Sequence, residues 1–533
     1  MGLFPVYAIV DIMKKVPKLP TGQFHFPNLI AQGYTYVDKT HLLYRLIQEE
    51  PGCFLARPRR FGKSLLVSTL EALFQGKKEL FKGLWIETSD YEWKEHPIIH
   101  LDMSGGSSGS PEKLEKSLKD TLIAIAKQYD IESIERELLS STLEALVIEM
   151  FRRYGPIVVL VDEYDYPLVH NTDDLKLVEE NRKFLQEFFA NIKSQQRYLR
   201  FIFVTGVSQF TKVSLFSGLN NLEMVSFQEE YATLLGLTEE EITKYFAPNI
   251  QAVATSRNTS ETEILLLLKK WYNGYSYTQN SNVPRVYNPV SVFKFLKTGI
   301  LDNYWFSTGT PTMVITLAKQ RDFSLVDLEN DIPAGSELEE THDIGTISIP
   351  VLLYQTGYLT IRKFDPQSST YFLNFPNEEV RQSFLEYLVR AFSSNPSEIQ
   401  GLYYRLAQHL QQHDFQKFFE VFNLFLASIP YFIHEDAESY YHSLLYLFLK
   451  TLGFKVNAEV PTSRGRMDML LKTPDCIYVF EFKINKTAAE ALNQIKARDY
   501  HAQFKLDKRL IMLVGASFST QSKKLTDWVS EKV

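Results

Sequence analysis

The chain has 533 residues, of which 45% are hydrophobic and 14% aromatic. This length exceeds what one hydrophobic core usually organises, so we expect about two to four domains. The apolar and aromatic content excludes an intrinsically disordered protein, and the net charge of −7 argues against a protein that coats nucleic acid over its whole surface.

Cysteine usage and the N-terminal stretch bear on where the protein works. Cys53 and Cys476 lie in separate apolar runs, which predicts reduced core residues of a cytoplasmic protein. Residues 1–16 lack the long apolar region of a signal peptide or a membrane span. No membrane partner is therefore expected.

The first informative stretch joins an apolar run, Gly52–Ala56, to a helical pattern that runs from Leu65 to Phe74. The junction reads RPRRFGKS over residues 57–64. A Gly-Lys-Ser at a strand-to-helix junction is typical of a phosphate-binding loop, which offers backbone N–H groups, a lysine and a hydroxyl to nucleotide phosphates and their Mg²⁺. The full P-loop pattern has a glycine at the position of Arg57, so a chance Gly-Lys-Ser stays an alternative.

Strands and helices alternate along the next hundred residues. Ile98–Asp102 and Ile157–Asp162 are apolar strand-like runs, and a helical pattern that follows Pro111 lies between them. This alternation predicts a doubly wound parallel α/β sheet, in which ligands bind at the carboxyl ends of the strands.

Two acids, Asp162 and Glu163, stand at the end of the second of these runs. In P-loop enzymes the first such acid holds Mg²⁺ through water, and an adjacent glutamate can polarise the attacking water. We therefore predict Mg²⁺ beside Ser64 and Asp162, with Glu163 as a catalytic residue. An acidic helix N-terminus after a core strand is the structural alternative.

The run from Arg200 to Gly206 is predicted to be another buried strand. Thr205 or Ser208, near its carboxyl end, occupies the place of a polar sensor of the terminal phosphate in related ATPases. A simple turn-forming Thr-Gly is the alternative. Arg57 and Arg200 are both candidates for an arginine finger.

These motifs together resemble a family of bacterial AAA-ATPase-like proteins, from about Leu19 to Asn221. The shared motifs are GYTYVDKT at 33–40, RPRRFGKS at 57–64, VDEYD at 161–165, TGVS at 205–208 and FSGLNN at 216–221. The family also has arginine in place of the first P-loop glycine. The resemblance implies ATP and Mg²⁺ as cofactors. The residues expected to bind ATP are Arg57, Arg60, Phe61, Gly62, Lys63, Ser64, Asp162 and Thr205.

The middle of the chain reads largely as helix. Asn-Gly and Asn-Pro turns at Asn273 and Asn288, flanked by aromatic residues, predict a packed lid on the ATPase core, with substrate binding as the alternative. The stretch Ile349–Phe392 reads helix, strand, turn, strand, helix, and this order resembles a winged-helix module. Because its helices carry few basic residues, a structural or docking role is favoured over DNA reading.

The C-terminal stretch contains a second chemical pattern. In the run Ile477–Ile484, Glu481 and Lys483 share one face because side chains alternate along a strand. Charges on an otherwise apolar strand are costly unless they serve a ligand. With Asp468 on a preceding strand, the carboxylates can converge on one or two divalent cations, and the lysine can orient or help deprotonate a water.

This arrangement resembles the PD-(D/E)XK nuclease superfamily over about residues 436–516. The flanking motifs ESYYH at 438–442 and EALNQI at 490–495 support the resemblance, and a spurious match of a short motif is the alternative. The resemblance implies roles for five residues: the metal ligands Glu438, Asp468 and Glu481, the catalytic lysine Lys483 and the supporting polar residue Gln494. Arg498 and Tyr500 follow on the same predicted helix and are candidates for contact with phosphate.

We expect an ATPase domain of residues 1–225, a helical lid and winged-helix-like region of residues 226–410 and a nuclease-like domain of residues 411–533. Residues 451–533 carry a net charge of +5 against −12 for the remainder, which favours a local polyanion site, although a solvated basic face is equally compatible.

The leading hypothesis is an ATP-hydrolysing protein that controls Mg²⁺-dependent cleavage of nucleic acid, with DNA favoured. Genome defence or mobile-element control is a guess from the domain pairing, and a homo-oligomer is left open. The alternative is an ATP-dependent switch or scaffold whose nuclease-like domain binds nucleic acid or protein without cleaving it.

Overall fold

A computed structural model describes residues 16–105, 109–132, 134–171, 174–208, 222–305, 331–338, 347–392, 399–427, 445, 449, 455–462 and 465–533. The described residues fall into two compact units, one with residues 16–305 and 331–380 and one with residues from 381 onward. The motif at 216–221 and the predicted metal ligand Glu438 lie outside the described residues.

The first unit is built on a five-stranded sheet in the order β2-β3-β4-β1-β5, and all of its neighbouring strands are parallel. The strands are Gly52–Ala56 (β1), Ile98–Asp102 (β2), Ile157–Asp162 (β3), Leu199–Gly206 (β4) and Glu223–Met224 (β5). The predicted parallel α/β sheet is confirmed. Because β4 lies between β1 and β3, the carboxyl ends of these three strands meet at one edge.

Burial explains why the central strands could be predicted from the sequence. Every residue of β1 and β3 is buried, including Cys53, so both strands are uninterrupted apolar runs. The helices of this part of the unit are Phe26–Ala31 (α1), Thr40–Glu49 (α2), Lys63–Phe74 (α3), Pro111–Gln128 (α4), Leu139–Tyr154 (α5), Tyr166–Val169 (α6) and Leu175–Ser194 (α7).

The middle region adds helices and a small antiparallel sheet to the first unit. Its helices are Glu239–Ser256 (α8), Glu261–Tyr272 (α9), Pro289–Thr298 (α10) and Ile349–Thr356 (α11). Its strands are Ile332–Ala334 (β6), Thr360–Asp365 (β7) and Thr370–Asn374 (β8), in the order β6-β8-β7. The helix Glu378–Phe392 (α12) follows, so the predicted order of elements over 349–392 is confirmed.

The second unit contains a five-stranded mixed sheet in the order β13-β12-β11-β10-β9. β11 and β12 are parallel, and the other pairs are antiparallel. The strands are Lys455–Thr462 (β9), Gly465–Lys472 (β10), Cys476–Ile484 (β11), Leu510–Ser519 (β12) and Lys524–Lys532 (β13). The helices are Ile399–Gln411 (α13), Phe415–Ala427 (α14) and Ala488–Ala497 (α15).

In the described part of the chain, none of the helices combines the length and the apolar character needed to cross a bilayer.

Gly274 provides a test of how the middle region is packed. Its φ is +113°, and a Cβ atom there would lie 2.0 Å from the carbonyl oxygen of Pro376. We expect Gly274→Ala to lower the unfolding temperature of the full chain in calorimetry, because strain and a backbone clash together cost about 2 kcal/mol or more.

Gly83→Ala is the matched control. Gly83 also has a positive φ, +82°, but its added Cβ would meet nothing within 4 Å. It should cost only the backbone strain, about 1 kcal/mol. Equal losses in the two variants would show that the close approach to Pro376 does not matter.

Candidate functional site

The loop between β1 and α3 turns the chain so that the N-terminus of α3 opens at the carboxyl edge of the sheet. Gly62 has a φ of 101° and Arg60 a φ of 69°, and this left-handed region suits glycine but is uncommon for arginine. α3 then begins at Lys63. The first N–H groups of a helix lack partners within it, so this geometry suits a phosphate group.

Lys63 lies over this loop. Its ammonium donates to the carbonyl oxygens of Arg57 at 3.0 Å and Pro58 at 3.2 Å, and the residue is 5% exposed. Burial lowers the pKa of Lys63, and Glu163 together with two further carboxylates offsets part of this effect. The ammonium is therefore held by neutral acceptors that an anionic ligand can replace.

Oxygen-bearing side chains gather at the ends of β2 and β3. The Ser64 and Asp162 side chains are hydrogen-bonded, and Asp162 accepts the backbone N–H of Glu163 at 2.9 Å. Burial raises the pKa of Asp162. Asp102 lies beside Asp162, because β2 and β3 pair in register at these two residues, and its carboxylate accepts from the Ser104 N–H and hydroxyl.

Asp102 is a candidate site residue that our sequence analysis missed. The sequence did contain a feature that could have identified it, because Asp102 ends a predicted strand in the same way as Asp162. What the sequence could not supply was the adjacency of β2 and β3.

The segment after β3 is fixed against the end of β4. Glu163 has a left-handed φ of 48°, a conformation that non-glycine residues keep only where their surroundings hold it. Burial raises the pKa of Glu163, and Lys63 opposes this shift. Asp165 is buried and accepts from the N–H of Val207, and from the N–H of Ser208 at 2.7 Å and its hydroxyl at 2.5 Å.

An apolar cavity of about 100 Å³ adjoins the loop. Three segments of the first unit form it: residues 20–43, the loop with the start of α3, and residues 234–237 with the start of α10. Apolar walls with few polar groups suit a flat, uncharged ring. The lining residues are Pro20, Leu29, Thr35, Tyr36, Val37, Lys39, Leu43, Phe61, Gly62, Leu65, Leu66, Leu234, Leu235, Gly236, Leu237, Pro289 and Phe293.

In the second unit, Asp468 and Glu481 come together across β10 and β11. The two strands are antiparallel with Met469 opposite Phe480, which places Asp468 opposite Glu481. Side chains of directly opposed residues lie on the same face of the sheet. The Asp468 carboxylate also accepts the backbone N–H of Phe482 at 2.7 Å.

Glu481 is 1% exposed. Its Oε1 accepts from the Lys483 ammonium at 3.3 Å and from the side-chain amide of Gln494 on α15. Its Oε2 is buried and has no hydrogen-bond partner among the described residues. Burial and then repulsion from Asp468 raise the pKa of Glu481 to about 7, although Lys483 lowers it.

Comparison with known proteins identifies both parts of the chain. Residues 20–216 match the family model described as "Predicted AAA-ATPase", and residues 436–528 match the PD-(D/E)XK nuclease superfamily. An uncharacterised protein in the vnfD 5' region of Azotobacter chroococcum mcd 1 is 34% identical over 529 residues, which cover 97% of this chain and 99% of that relative. The chain belongs to this AAA-ATPase-like family, with a C-terminal PD-(D/E)XK domain.

Solved structures give a weaker likeness. The ORC1 protein of Aeropyrum pernix in complex with DNA shares 11% identity over 65% of this chain and 92% of its own, with a TM-score of 0.26. The ORC2 protein of the same organism, in ADPNP-ADP complexes, shares 12% identity over 64% and 89%, with a TM-score of 0.23. With TM-scores this low, these two structures support no functional conclusion for this chain.

Arg57 of the AAA-ATPase-like domain points into the interior of the first unit. Its guanidinium is 1% exposed, donates to the carbonyl oxygens of Ala56 at 2.9 Å and Ser226 at 2.8 Å, and lies 3.9 Å from the ring centroid of Tyr277. Burial lowers the pKa of Arg57. The side chain therefore anchors the loop to the interior of the first unit, and its predicted roles in ATP binding and as an arginine finger stay predictions.

Thr205 and Arg60 are also engaged elsewhere. The Thr205 hydroxyl is buried and donates to the carbonyl oxygen of Leu55 at 2.7 Å, inside the sheet, and its role as a phosphate sensor stays a prediction. The Arg60 guanidinium donates to the carbonyl oxygen of Tyr304. Phe61 is buried, packs edge-on against Tyr275 and lines the apolar cavity rather than the phosphate position.

The PD-(D/E)XK domain brings together four of the predicted residues: Asp468, Glu481, Lys483 and Gln494. Arg498 is exposed, whereas Tyr500 is 2% exposed and packs in the apolar core. Their predicted phosphate contacts stay predictions.

The donor chemistry of this site suits Mg²⁺ or Mn²⁺. Both cations prefer oxygen ligands, and Glu481, whose Oε2 has no hydrogen-bond partner among the described residues, lies opposite Asp468 in the sheet. Within the described ranges no group of three or more His, Cys, Asp or Glu residues could hold a metal ion. The described residues of this site therefore provide two carboxylates as possible metal ligands, those of Asp468 and Glu481.

The pKa of Glu481 leads to a prediction about metal binding. Burial raises this pKa to about 7, so the carboxyl is largely protonated at pH 6 and ionised at pH 8. A divalent cation requires the ionised form. We expect the affinity for Mn²⁺, measured by calorimetry on the full chain, to rise by up to about tenfold per pH unit below pH 7 and to level off above it.

Glu481→Gln should weaken Mn²⁺ binding and remove this pH dependence. Glu531→Gln changes an exposed carboxylate on β13 that pairs with Lys496, and should leave both unchanged. An unaltered pH profile in Glu481→Gln would show that Glu481 does not contact the cation.

Proposed function

We propose that this protein binds and hydrolyses ATP in its first unit, and that ATP controls metal-dependent cleavage of phosphodiester bonds, with DNA favoured, in its second unit. The observation that carries the proposal is Glu481, a buried carboxylate with one partnerless oxygen, opposite Asp468 and bonded to Lys483. Placing a carboxylate in this way is costly unless a ligand completes the site.

In the first unit, Lys63 and the N-terminus of α3 would bind the β- and γ-phosphates. Lys63 would exchange its two carbonyl partners for phosphate oxygens. Ser64 and Asp162, which already share a hydrogen bond, would hold Mg²⁺, with Asp102 beside them. Glu163 would orient the attacking water. The apolar cavity next to Gly62 would receive the adenine base.

In the second unit, Asp468 and Glu481 would hold Mg²⁺, which when bound activates a water and stabilises negative charge on the phosphate. Gln494 and Lys483 both bond to Oε1 of Glu481, and Oε2 has no hydrogen-bond partner among the described residues. Lys483, bonded to the same carboxylate, would orient the water. The net positive charge of residues 451–533 supports a polyanionic substrate.

A second candidate is an ATP-dependent switch or scaffold whose PD-(D/E)XK domain binds nucleic acid or protein without cleavage. The hydrogen bonds from Lys483 and Gln494 favour it, because they satisfy one oxygen of Glu481 without a metal. Cleavage assays separate the two candidates.

For the nuclease, we expect purified full-length protein to cleave DNA with Mg²⁺ or Mn²⁺ and ATP. Asp468→Ala and Lys483→Ala should each reduce the rate about 100-fold or more, because both groups act on the reacting phosphate and water. Asp475→Ala and Lys505→Ala, which alter exposed residues of the same unit, are the matched controls. Cleavage that is equal in all five proteins would come from a contaminant and would count against this activity.

For the ATPase, we expect Lys63→Ala to reduce phosphate release about 100-fold or more, because the variant loses the cation that contacts the transferred phosphate. Lys82→Ala removes an exposed lysine of the same unit and should leave the rate unchanged. Phosphate release that persists in Lys63→Ala would remove the ATPase half of the proposal.

A further inference from the structure

Three successive residues of the phosphate loop are each held by the middle region. Pro58 packs so closely on Gly357 that a Cβ atom on the glycine would lie 2.6 Å from the proline ring. The carbonyl oxygen of Arg59 accepts the indole N–H of Trp305 at 3.1 Å. The guanidinium of Arg60 donates to the carbonyl oxygen of Tyr304.

Tyr304 and Trp305, which we call the strap, are in turn held by Glu379. The Glu379 carboxylate is fully buried and accepts the backbone N–H of Trp305 at 2.7 Å, and the backbone of Tyr304 also hydrogen-bonds to it. The hydroxyl of Ser291, on α10, donates to the same carboxylate at 2.9 Å. One side chain therefore joins the strap to a helix that also lines the apolar cavity.

Glu379 lies in the first turn of α12, which begins at Glu378. Among the described residues, those up to Val380 belong to the first unit, and those from Arg381 onward belong to the second. The chain therefore passes into the second unit through the helix that carries Glu379.

We propose that Glu379 is a positioning residue that transmits nucleotide occupancy of the phosphate loop to α12. The inference rests on the proposed binding of ATP to this loop. When phosphate displaces Lys63 from the Arg57 and Pro58 carbonyl oxygens, the loop residues that carry the strap contacts must adjust.

Breaking the hydrogen bonds between the strap and Glu379 would be costly. A fully buried carboxylate that loses its hydrogen bonds keeps the cost of its lost hydration, so the bonded groups move together. Movement of the strap is therefore passed to the start of α12. The adenine base would affect the same carboxylate through α10. Pro289 and Phe293 of this helix line the cavity, and Ser291, which lies between them in sequence, donates to Glu379.

Hydrogen–deuterium exchange on the full chain, with and without ADP and Mg²⁺, tests this inference. In the wild type, ADP should slow exchange both in the loop at 57–64 and in the first turns of α12. Glu379→Gln should keep the response of the loop and lose that of α12. Glu378→Gln makes the same chemical change one residue earlier and should keep both responses.

Trp305→Phe provides a second variant in case Glu379→Gln does not fold. It removes the indole N–H that reaches Arg59 and retains an aromatic ring beside Tyr358. We expect the loop to bind ADP about two- to tenfold more weakly, as for the loss of one hydrogen bond. The α12 response at saturating ADP should weaken without vanishing, because the Arg60–Tyr304 link and the contact of Ser291 with Glu379 remain.

Two outcomes would overturn the inference and are distinguishable. If ADP slows exchange in the loop of the wild type but not in α12, or if both variants keep the full α12 response, Glu379 does not transmit occupancy and ATP binding stands. If ADP leaves the loop itself unaffected in the wild type, the proposed ATP site fails and this inference fails with it.

Discussion

Carboxylates held out of water at the ends or centres of buried strands are the costly feature that both candidate sites share. Asp162 and Glu163 follow the fully buried strand β3, and Glu481 lies within β11. Burial raises the pKa of each of these groups, which measures the penalty for keeping them charged. Nearby donors offset part of the penalty: Lys63 in the first unit, and Lys483 with Gln494 in the second. A divalent cation would offset much of the rest.

The exchange of glycine for arginine at the start of the phosphate loop has a structural explanation. A glycine would leave the loop free to flex, whereas Arg57 sends a guanidinium into the interior of the first unit. There its N–H groups bond to the carbonyl oxygens of Ser226 and Tyr231, and its plane lies over the ring of Tyr277. The start of the loop is thereby tied to segments far away in sequence and is preorganised before any ligand arrives.

The middle region supports the loop from the other side. Gly357, Trp305 and Tyr304 meet Pro58, Arg59 and Arg60 respectively. The buried carboxylate of Glu379 accepts hydrogen bonds from both the strap and α10, and burial raises its pKa to about 7. The middle region thus holds three successive residues of the loop, through one backbone carbonyl and two side chains.

Local patterns were enough to predict β1 to β4 and β11, the turn into α3 and the face shared by Glu481 and Lys483, because each depends on neighbours within a few positions along the chain. The same patterns could not predict that β4 separates β1 from β3, and so could not show that the Thr205 hydroxyl would bond to Leu55. The same patterns also could not predict three other features: the interior direction of Arg57, the place of Asp102 beside Asp162 and the bond between Glu379 and Trp305. Each joins residues far apart in the sequence, and periodicity carries no information about which distant partner a side chain will meet. The sequence by itself therefore determined which chemical groups the protein presents and on which local element, whereas the tertiary structure decided which of them face a ligand and which are used to hold the fold.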